Sequence, residues 1–235
     1  MREYKFSIVP WVSWKTYFVN DIQTTIIFEQ QTEYYYLLDD TLSVCWNDIN
    51  NKSSICLNEI QNLSLLILDG VINLEQSEIQ YDNFCSSIIK SKELPEYFLN
   101  SIKIEGYIFD VHWDLTNRCN AKCVHCYNPH AHDGTRNNSK DELSFDEAIK
   151  LVDNLDYLGV FRIVLSGGEA STKEYFLGLC DYIRRKHICL IIYSNGLLLN
   201  TTTICKLSNI YPYSVCISTY GPNSSIHDAV TQVKG

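Results

Sequence analysis

No stretch of this 235-residue chain is both long and apolar enough to span a bilayer. The best candidate, Leu63 to Ile72, is broken by Asp69 and Gly70 and falls well short of the roughly 20 residues a spanning helix needs. The amino terminus, MREYKFSIVPW, lacks a basic start, an apolar stretch and a small-residue cleavage site, so it does not read as a secretory signal. Positive charge is scarce: 19 Lys and Arg stand against 28 Asp and Glu, a net charge of −9. A grip on nucleic acid needs clustered basic residues to neutralise phosphates, so that partner class is excluded. Glycine is almost missing from the first 104 residues, where Gly70 stands alone. Neither an internal repeat nor a low-complexity segment is visible. These absences leave a cytoplasmic protein with neither a membrane nor a nucleic-acid partner.

What is present is a composition that can bury a core, 46% hydrophobic and 20% charged, at a length that suits one or two domains. It also has ten cysteines. In a cytoplasmic chain of this size they point to metal binding or catalysis rather than a disulfide framework. Seven are scattered singly (Cys45, Cys56, Cys85, Cys180, Cys189, Cys205, Cys216), several in apolar runs, and read as small buried hydrophobes. The other three, Cys119, Cys123 and Cys126, fall within eight residues.

Two textures divide the chain. Residues 1–104 are rich in Tyr, Ile, Asn and Gln. They read as a small α+β module, for which a winged-helix type fits. Strands are expected at Trp14–Asn20, Thr24–Glu29 and Tyr34–Leu38, and short helices at Thr41–Asn50 and Ser54–Asn62. Ser91–Glu105, with Pro95, reads as a linker. Residues 105–235 read as β/α units. Strands are expected at Tyr107–Asp114, Phe161–Leu165, Ile188–Tyr193 and Ser214–Ser218. A helix starts at Ser144, where Glu147 three residues on makes a capping box and Gly159 a natural stop. Further helices are expected at Ser171–Lys186 and Thr202–Ser208. Strands that alternate with helices imply an α/β fold with a parallel sheet.

The chemistry gathers at the ends of these strands. Cys119-x-x-x-Cys123-x-x-Cys126 follows the first. Thiolates are soft ligands that suit iron–sulfur clusters and zinc. Three of them can hold three corners of a cubane and leave the fourth iron for a small molecule. A zinc site would take a fourth ligand, for which His125, His130 and His132 are available. Gly167-Gly168-Glu169 ends the second strand. Taken alone it is a tight turn with an exposed Glu, although the glycines would let backbone groups approach a ligand and the carboxylate could accept from an ammonium. Ser194-Asn195-Gly196 follows the third strand and, taken alone, is a plain turn. Ser218-Thr-Tyr-Gly221 follows the fourth, ahead of Ile226-His227-Asp228, which reads as an exposed helix start. Active sites of β/α barrels are built at this end of the strands.

The string from Asp114 to Tyr127 resembles the radical S-adenosylmethionine (SAM) superfamily, with its CxxxCxΦC motif after the first strand of a (β/α)6 barrel. The resemblance implies a [4Fe–4S] cluster on Cys119, Cys123 and Cys126, with SAM chelating the open iron. It sets His125 near the adenine, and Gly167, Gly168 and Glu169 against the amino group of SAM. Asn195 and Ser218 become SAM contacts. Ala170 stands where the family usually has proline, and Tyr220 where it often has aspartate. The resemblance further implies reductive cleavage of SAM to a 5′-deoxyadenosyl radical, with an electron from a flavodoxin or ferredoxin.

Within the superfamily the pattern is similar to SPASM-type maturases of ribosomally made peptides. Residues 1–104 then correspond in length and position to a peptide-recognition module, which would hold a leader peptide by strand addition. About four of the six β/α units are legible. The expectation is therefore a partial barrel: a fragment, a truncated frame or a chain completed by another. A catalytically inactive peptide binder and a zinc-stabilised fold are the competing readings.

Overall fold

The structure is a computed structural model that describes residues 3–75, 88–128 and 142–234. Cys85, His130 and His132 lie outside the described residues. The chain divides into two units, Met1–Ile108 and Phe109–Gly235.

The first unit opens with β1 (Glu3–Ile8), β2 (Val12–Val19), β3 (Ile22–Glu29) and β4 (Tyr34–Leu38). Then come α1 (Asp40–Ile49), β5 (Ser54–Cys56), α2 (Leu57–Asn62), α3 (Ser64–Leu68), β6 (Ile72–Leu74), β7 (Ile89–Ser91) and α4 (Glu96–Ile104). Among the described residues its strands form two antiparallel sheets, ordered β5-β1-β6 and β2-β3-β4-β7. From α1 to β6 the order is helix, strand, helix, helix, strand.

The core of this unit is built around Trp46, fully buried and edge-on to Trp14 at 5.4 Å, with Tyr36, Leu38, Ile49, Ile55, Ile60 and Leu66 around it. Asp39 caps α1 by accepting from the Leu42 amide at 3.0 Å.

Two expectations fail in this unit. Ser54–Asn62 is not one helix: Ser54–Cys56 pairs with β1, and the helix starts only at Leu57. There the Glu59 carboxylate takes the Cys56 amide at 2.7 Å and Lys52 at 2.6 Å, fixing a strand-to-helix turn. Ser91–Glu105 is not a linker either. Glu96–Ile104 is helical, and Phe98 and Ile102, four apart, bury one face. Pro95 marks its start, where a missing N–H costs nothing.

Among its described residues the second unit has four parallel strands joined by helices: β8 (Asp110–Asp114), α5 (Phe145–Tyr157), β9 (Arg162–Ser166), α6 (Phe176–Arg185), β10 (Cys189–Ser194), α7 (Thr201–Ile210), β11 (Ser214–Ile217) and α8 (Ser224–Thr231). The sheet order β11-β10-β9-β8 follows the sequence, and the registers pair Asp114 with Ser166 and Ser194 with Ile217. Successive loops therefore emerge side by side at one edge.

Leu165, Leu190 and Ile192 from the sheet pack with Val152, Leu179, Cys180 and Ile183 from α5 and α6. Ser144 caps α5, and the reciprocal bond from its backbone to Glu147 makes the expected box. The expected helix from Ser171 is replaced at its start by a short 3₁₀ turn, Ala170–Thr172. The physical reason is the Glu169 carboxylate, which captures both the amide and the hydroxyl of Ser171 and turns the chain around itself. Cys180 and Cys189 are buried, and burial pushes the Cys189 thiol up to about 12. Cys205 and Cys216 are exposed, against the expectation of burial.

Truncating Trp46 removes the largest fully buried side chain. Trp46→Ala is expected to cost about 3–5 kcal/mol, read as a lower urea midpoint in the transition of the first unit.

Candidate active site

The β8–β9 ladder does not stop at the strand ends. The Leu115 amide donates to the Ser166 carbonyl at 3.0 Å, the Gly168 amide to Thr116 at 2.6 Å and the Glu169 amide to Arg118 at 2.7 Å. The chain leading to Cys119 is thus laid directly along the Gly-Gly-Glu segment. Only glycine fits there. Gly167 sits at φ +122°, and a Cβ on it would come within 2.5 Å of the Thr116 carbonyl oxygen. A Cβ on Gly168 would collide with the Arg118 carbonyl. The two glycines serve the approach of one backbone to another, where the sequence suggested the approach of a ligand.

Glu169 is 2% exposed, whereas the motif read alone suggests an exposed residue. Its Oε1 accepts from the Ser194 hydroxyl at 2.9 Å and the Ser171 hydroxyl at 2.5 Å, and its Oε2 from the Asn195 amide at 2.7 Å. A buried carboxylate needs such donors, and these bind the loops after β9 and β10 together.

A second carboxylate supports the cysteine segment from behind. Glu142 Oε1 accepts from the Thr116 hydroxyl at 2.6 Å and the Asn117 amide at 2.9 Å, while Oε2 pairs with Lys173 at 2.8 Å. Burial alone would raise its pKa. The hydrogen bonds from Lys173, Thr116 and Asn117 outweigh burial and hold the carboxyl below the ordinary carboxylate range.

Further on, the Lys122 and Val124 amides donate to the carbonyls of Thr231 and Val230 at 3.0 Å each, so the end of α8 clamps the stretch that carries Cys123. Nothing in the sequence flagged Glu142, Lys173 or this clamp. Each acts across a long separation and carries no local signature.

The nine residues that the resemblance assigns to the cluster and SAM (Cys119, Cys123, Cys126, His125, Gly167, Gly168, Glu169, Asn195 and Ser218) line one cavity of about 170 Å³. The three thiols are half-buried. Asn195 lies across from them: its side-chain amide donates to Asn120 Oδ1 at 2.7 Å and to Cys119 Sγ at 3.8 Å. Ser218 enters the same wall through its amide, which donates to the Ser194 carbonyl at 3.0 Å.

The cavity also takes in Tyr127 and Tyr220, to which the motifs assign no role. Tyr127 donates to Asp114 at 3.3 Å, and burial is the first cause of its raised pKa. Tyr220 stands edge-on to His125, ring centres 4.6 Å apart, and stacks on His227 at 5.8 Å, so His227 belongs to this cluster and not to a bare helix start. Among the described residues, no group of three or more Cys, His, Asp or Glu side chains stands close enough to hold one metal ion. A cubane makes a different demand, one thiolate on each of three irons.

The sequence profile of the Radical SAM superfamily matches residues 113–232. The chain belongs to that superfamily. Radical SAM proteins use a [4Fe–4S] cluster and SAM. The chain is 37% identical over 120 residues to the Fe-coproporphyrin III synthase of Methanosarcina barkeri, covering 51% of this chain and 29% of that protein. It is 31% identical over 118 residues to the mycofactocin maturase MftC of Mycolicibacterium smegmatis, covering 50% of this chain and 29% of that one. The fold is shared with Streptococcus suis SuiB, solved bound to its precursor peptide SuiA. The TM-score is 0.56 at 14% identity, over 97% of this chain and 51% of SuiB. The chain thus spans about three tenths of the length of these curated relatives and about half of SuiB.

Two substitutions test the radical SAM loop as built. Gly168→Ala forces a backbone clash and is expected to cost about 1–3 kcal/mol in urea unfolding. Glu142→Gln leaves Lys173 without its partner and is expected to cost about 3 kcal/mol at neutral pH. The wild-type carboxyl has a depressed folded pKa. The gap between the two proteins should therefore be complete above the unfolded value of about 4.3 and close as pH falls through the folded one.

Proposed function

We propose that the chain carries the SAM-cleaving part of a radical SAM enzyme that modifies a ribosomally made peptide. In this reading Cys119, Cys123 and Cys126 hold a [4Fe–4S] cluster, and SAM lies against Gly167, Gly168, Glu169, Asn195, Ser218 and His125. The observation that carries it is the convergence of these residues, from four separate loops, on one cavity. The donor set fits the group: three half-buried thiols within eight residues of one loop, with the Gly-Gly-Glu and Asn195 loops supplying further parts of the cavity wall.

When bound, the cluster and SAM supply one-electron cleavage of the sulfonium and hence a carbon radical able to take a hydrogen atom from substrate. The chain's own residues do the rest. Glu169 and Glu142 fix the loops, the paired Gly167 and Gly168 hold the cysteine segment in register, and His125, braced edge-on by Tyr220, offers its ring to an aromatic base. The electron comes from a small one-electron carrier such as a flavodoxin or ferredoxin.

The peptide substrate is supported by the likeness to SuiB, which extends over 97% of the chain and so takes in residues 1–104 as well. We assign those residues to recognition of a leader peptide, with residues 105–235 as the barrel portion. A second reading, chemistry on a porphyrin, rests on the 37% identity with Fe-coproporphyrin III synthase over half of the chain. That reading gives residues 1–104 no task.

The test is anaerobic reconstitution with iron and sulfide, then reduction with dithionite in the presence of SAM. Wild type is expected to gain a visible iron–sulfur absorption band and release 5′-deoxyadenosine, and Cys123→Ala to release none. Undiminished release from Cys123→Ala, or a colourless wild type loaded with zinc, would reject the assignment.

A further inference from the structure

Asn195 is held more tightly than a residue at a plain turn needs to be. Its backbone amide donates to Glu169 Oε2 at 2.7 Å, and its side-chain oxygen accepts from the Leu197 amide at 3.0 Å. The second bond decides which way the side-chain amide faces, because the oxygen is committed to Leu197 and the nitrogen must point the other way. That nitrogen is aimed at two acceptors, Asn120 Oδ1 at 2.7 Å and Cys119 Sγ at 3.8 Å. Cys119 Sγ has a second donor, the Ala121 amide at 3.4 Å. The backbone donor is out of reach of side-chain substitution. The Asn195 donor is not.

We propose that Asn195 is a positioning residue whose N–H···S bond to Cys119 raises the reduction potential of the cluster, with Asn120 taking the other N–H of the same amide. This rests on the cluster assignment made above. The physical argument concerns charge. A one-electron reduction adds negative charge to the cluster and its thiolates, and an N–H aimed at a ligating sulfur stabilises that charge. The bond also strengthens once Cys119 is a thiolate, since an anionic acceptor draws a donor harder than a thiol does. The Asn120 oxygen accepts the other N–H of that amide, and an amide that donates strongly through one N–H is the weaker donor through its second. Glu169 enters indirectly: by holding the Asn195 backbone it fixes the distance from the end of β10 to the sulfur.

The experiment uses the full chain, reconstituted anaerobically with iron and sulfide and without SAM. Iron content is measured, and the midpoint potential is read by electron paramagnetic resonance during a dithionite titration. Asn195→Ala removes the donor and is expected to lower the midpoint. Asn120→Ala removes the second acceptor, leaves the N–H toward Cys119 the stronger donor and is expected to raise it, with iron content unchanged. A merely structural role cannot produce shifts of opposite sign in two clusters that are equally loaded.

Both variants at the wild-type midpoint would overturn the proposal. If Asn195→Ala takes up no iron, Asn120→Ala decides alone, and a midpoint that stays or falls overturns it. The underlying reading fails separately. A wild type that takes up no iron rejects the cluster and this proposal with it, whereas a loaded wild type with unmoved variants rejects only the role of Asn195.

Discussion

The site depends on a backbone contact. Beyond the last paired residues of β8 and β9, three more amides, those of Leu115, Gly168 and Glu169, continue the ladder to Ser166, Thr116 and Arg118. The segment before Cys119 is thereby an extension of the sheet and not a free loop. This closeness is possible because two consecutive residues have no Cβ. A side chain at either would push the segment away, and the cysteines with it. The Gly-Gly pair acts first on the cysteine segment and only through it on anything bound there.

Burying Glu169 follows from the same arrangement. A carboxylate taken out of water is costly unless it is hydrogen-bonded. The Ser171, Ser194 and Asn195 donors meet that need, and in doing so they join the 3₁₀ turn after β9 to the end of β10. Glu142 does the equivalent on the outer side, where its pair with Lys173 and its bonds to Thr116 and Asn117 brace the approach to Cys119. Glu142 thus braces the cysteine segment directly, while Glu169 joins the two loops beside it.

Much of this was legible in the sequence, and the reason is local. The capping box at Ser144 and Glu147, the alternation of strands and helices, and the cysteine spacing are all written within a few residues. The site residues are legible because each sits at the end of a strand. What escaped has a different physical basis. Glu142, Lys173, Asn120 and the α8 clamp act between segments distant in sequence. The helix at Glu96–Ile104 was hidden by Pro95, a residue that breaks helices inside but is tolerated where they start. The strand at Ser54–Cys56 is set by its partner β1 and not by its own composition. The exposed Glu expected at 169 is buried because Ser171 and Ser194, individually unremarkable, turn their hydroxyls to it.

The order of the strands explains how so few residues can enclose a cavity. Because β8 to β11 lie in the sheet in chain order, each loop borders the next. Gly168 bonds to Thr116, Asn195 to Glu169, and Ser218 to Ser194. The chain then returns to its start: Thr231 and Val230, at the end of the last helix, accept from Lys122 and Val124 beside Cys123, while Tyr220 meets His125. The circuit of bonds is closed around the cavity. A change at any one junction is therefore transmitted to the cysteine turn from one side or the other. This is also why Asn195, on the wall facing the cysteines, can act on a sulfur that belongs to the first loop.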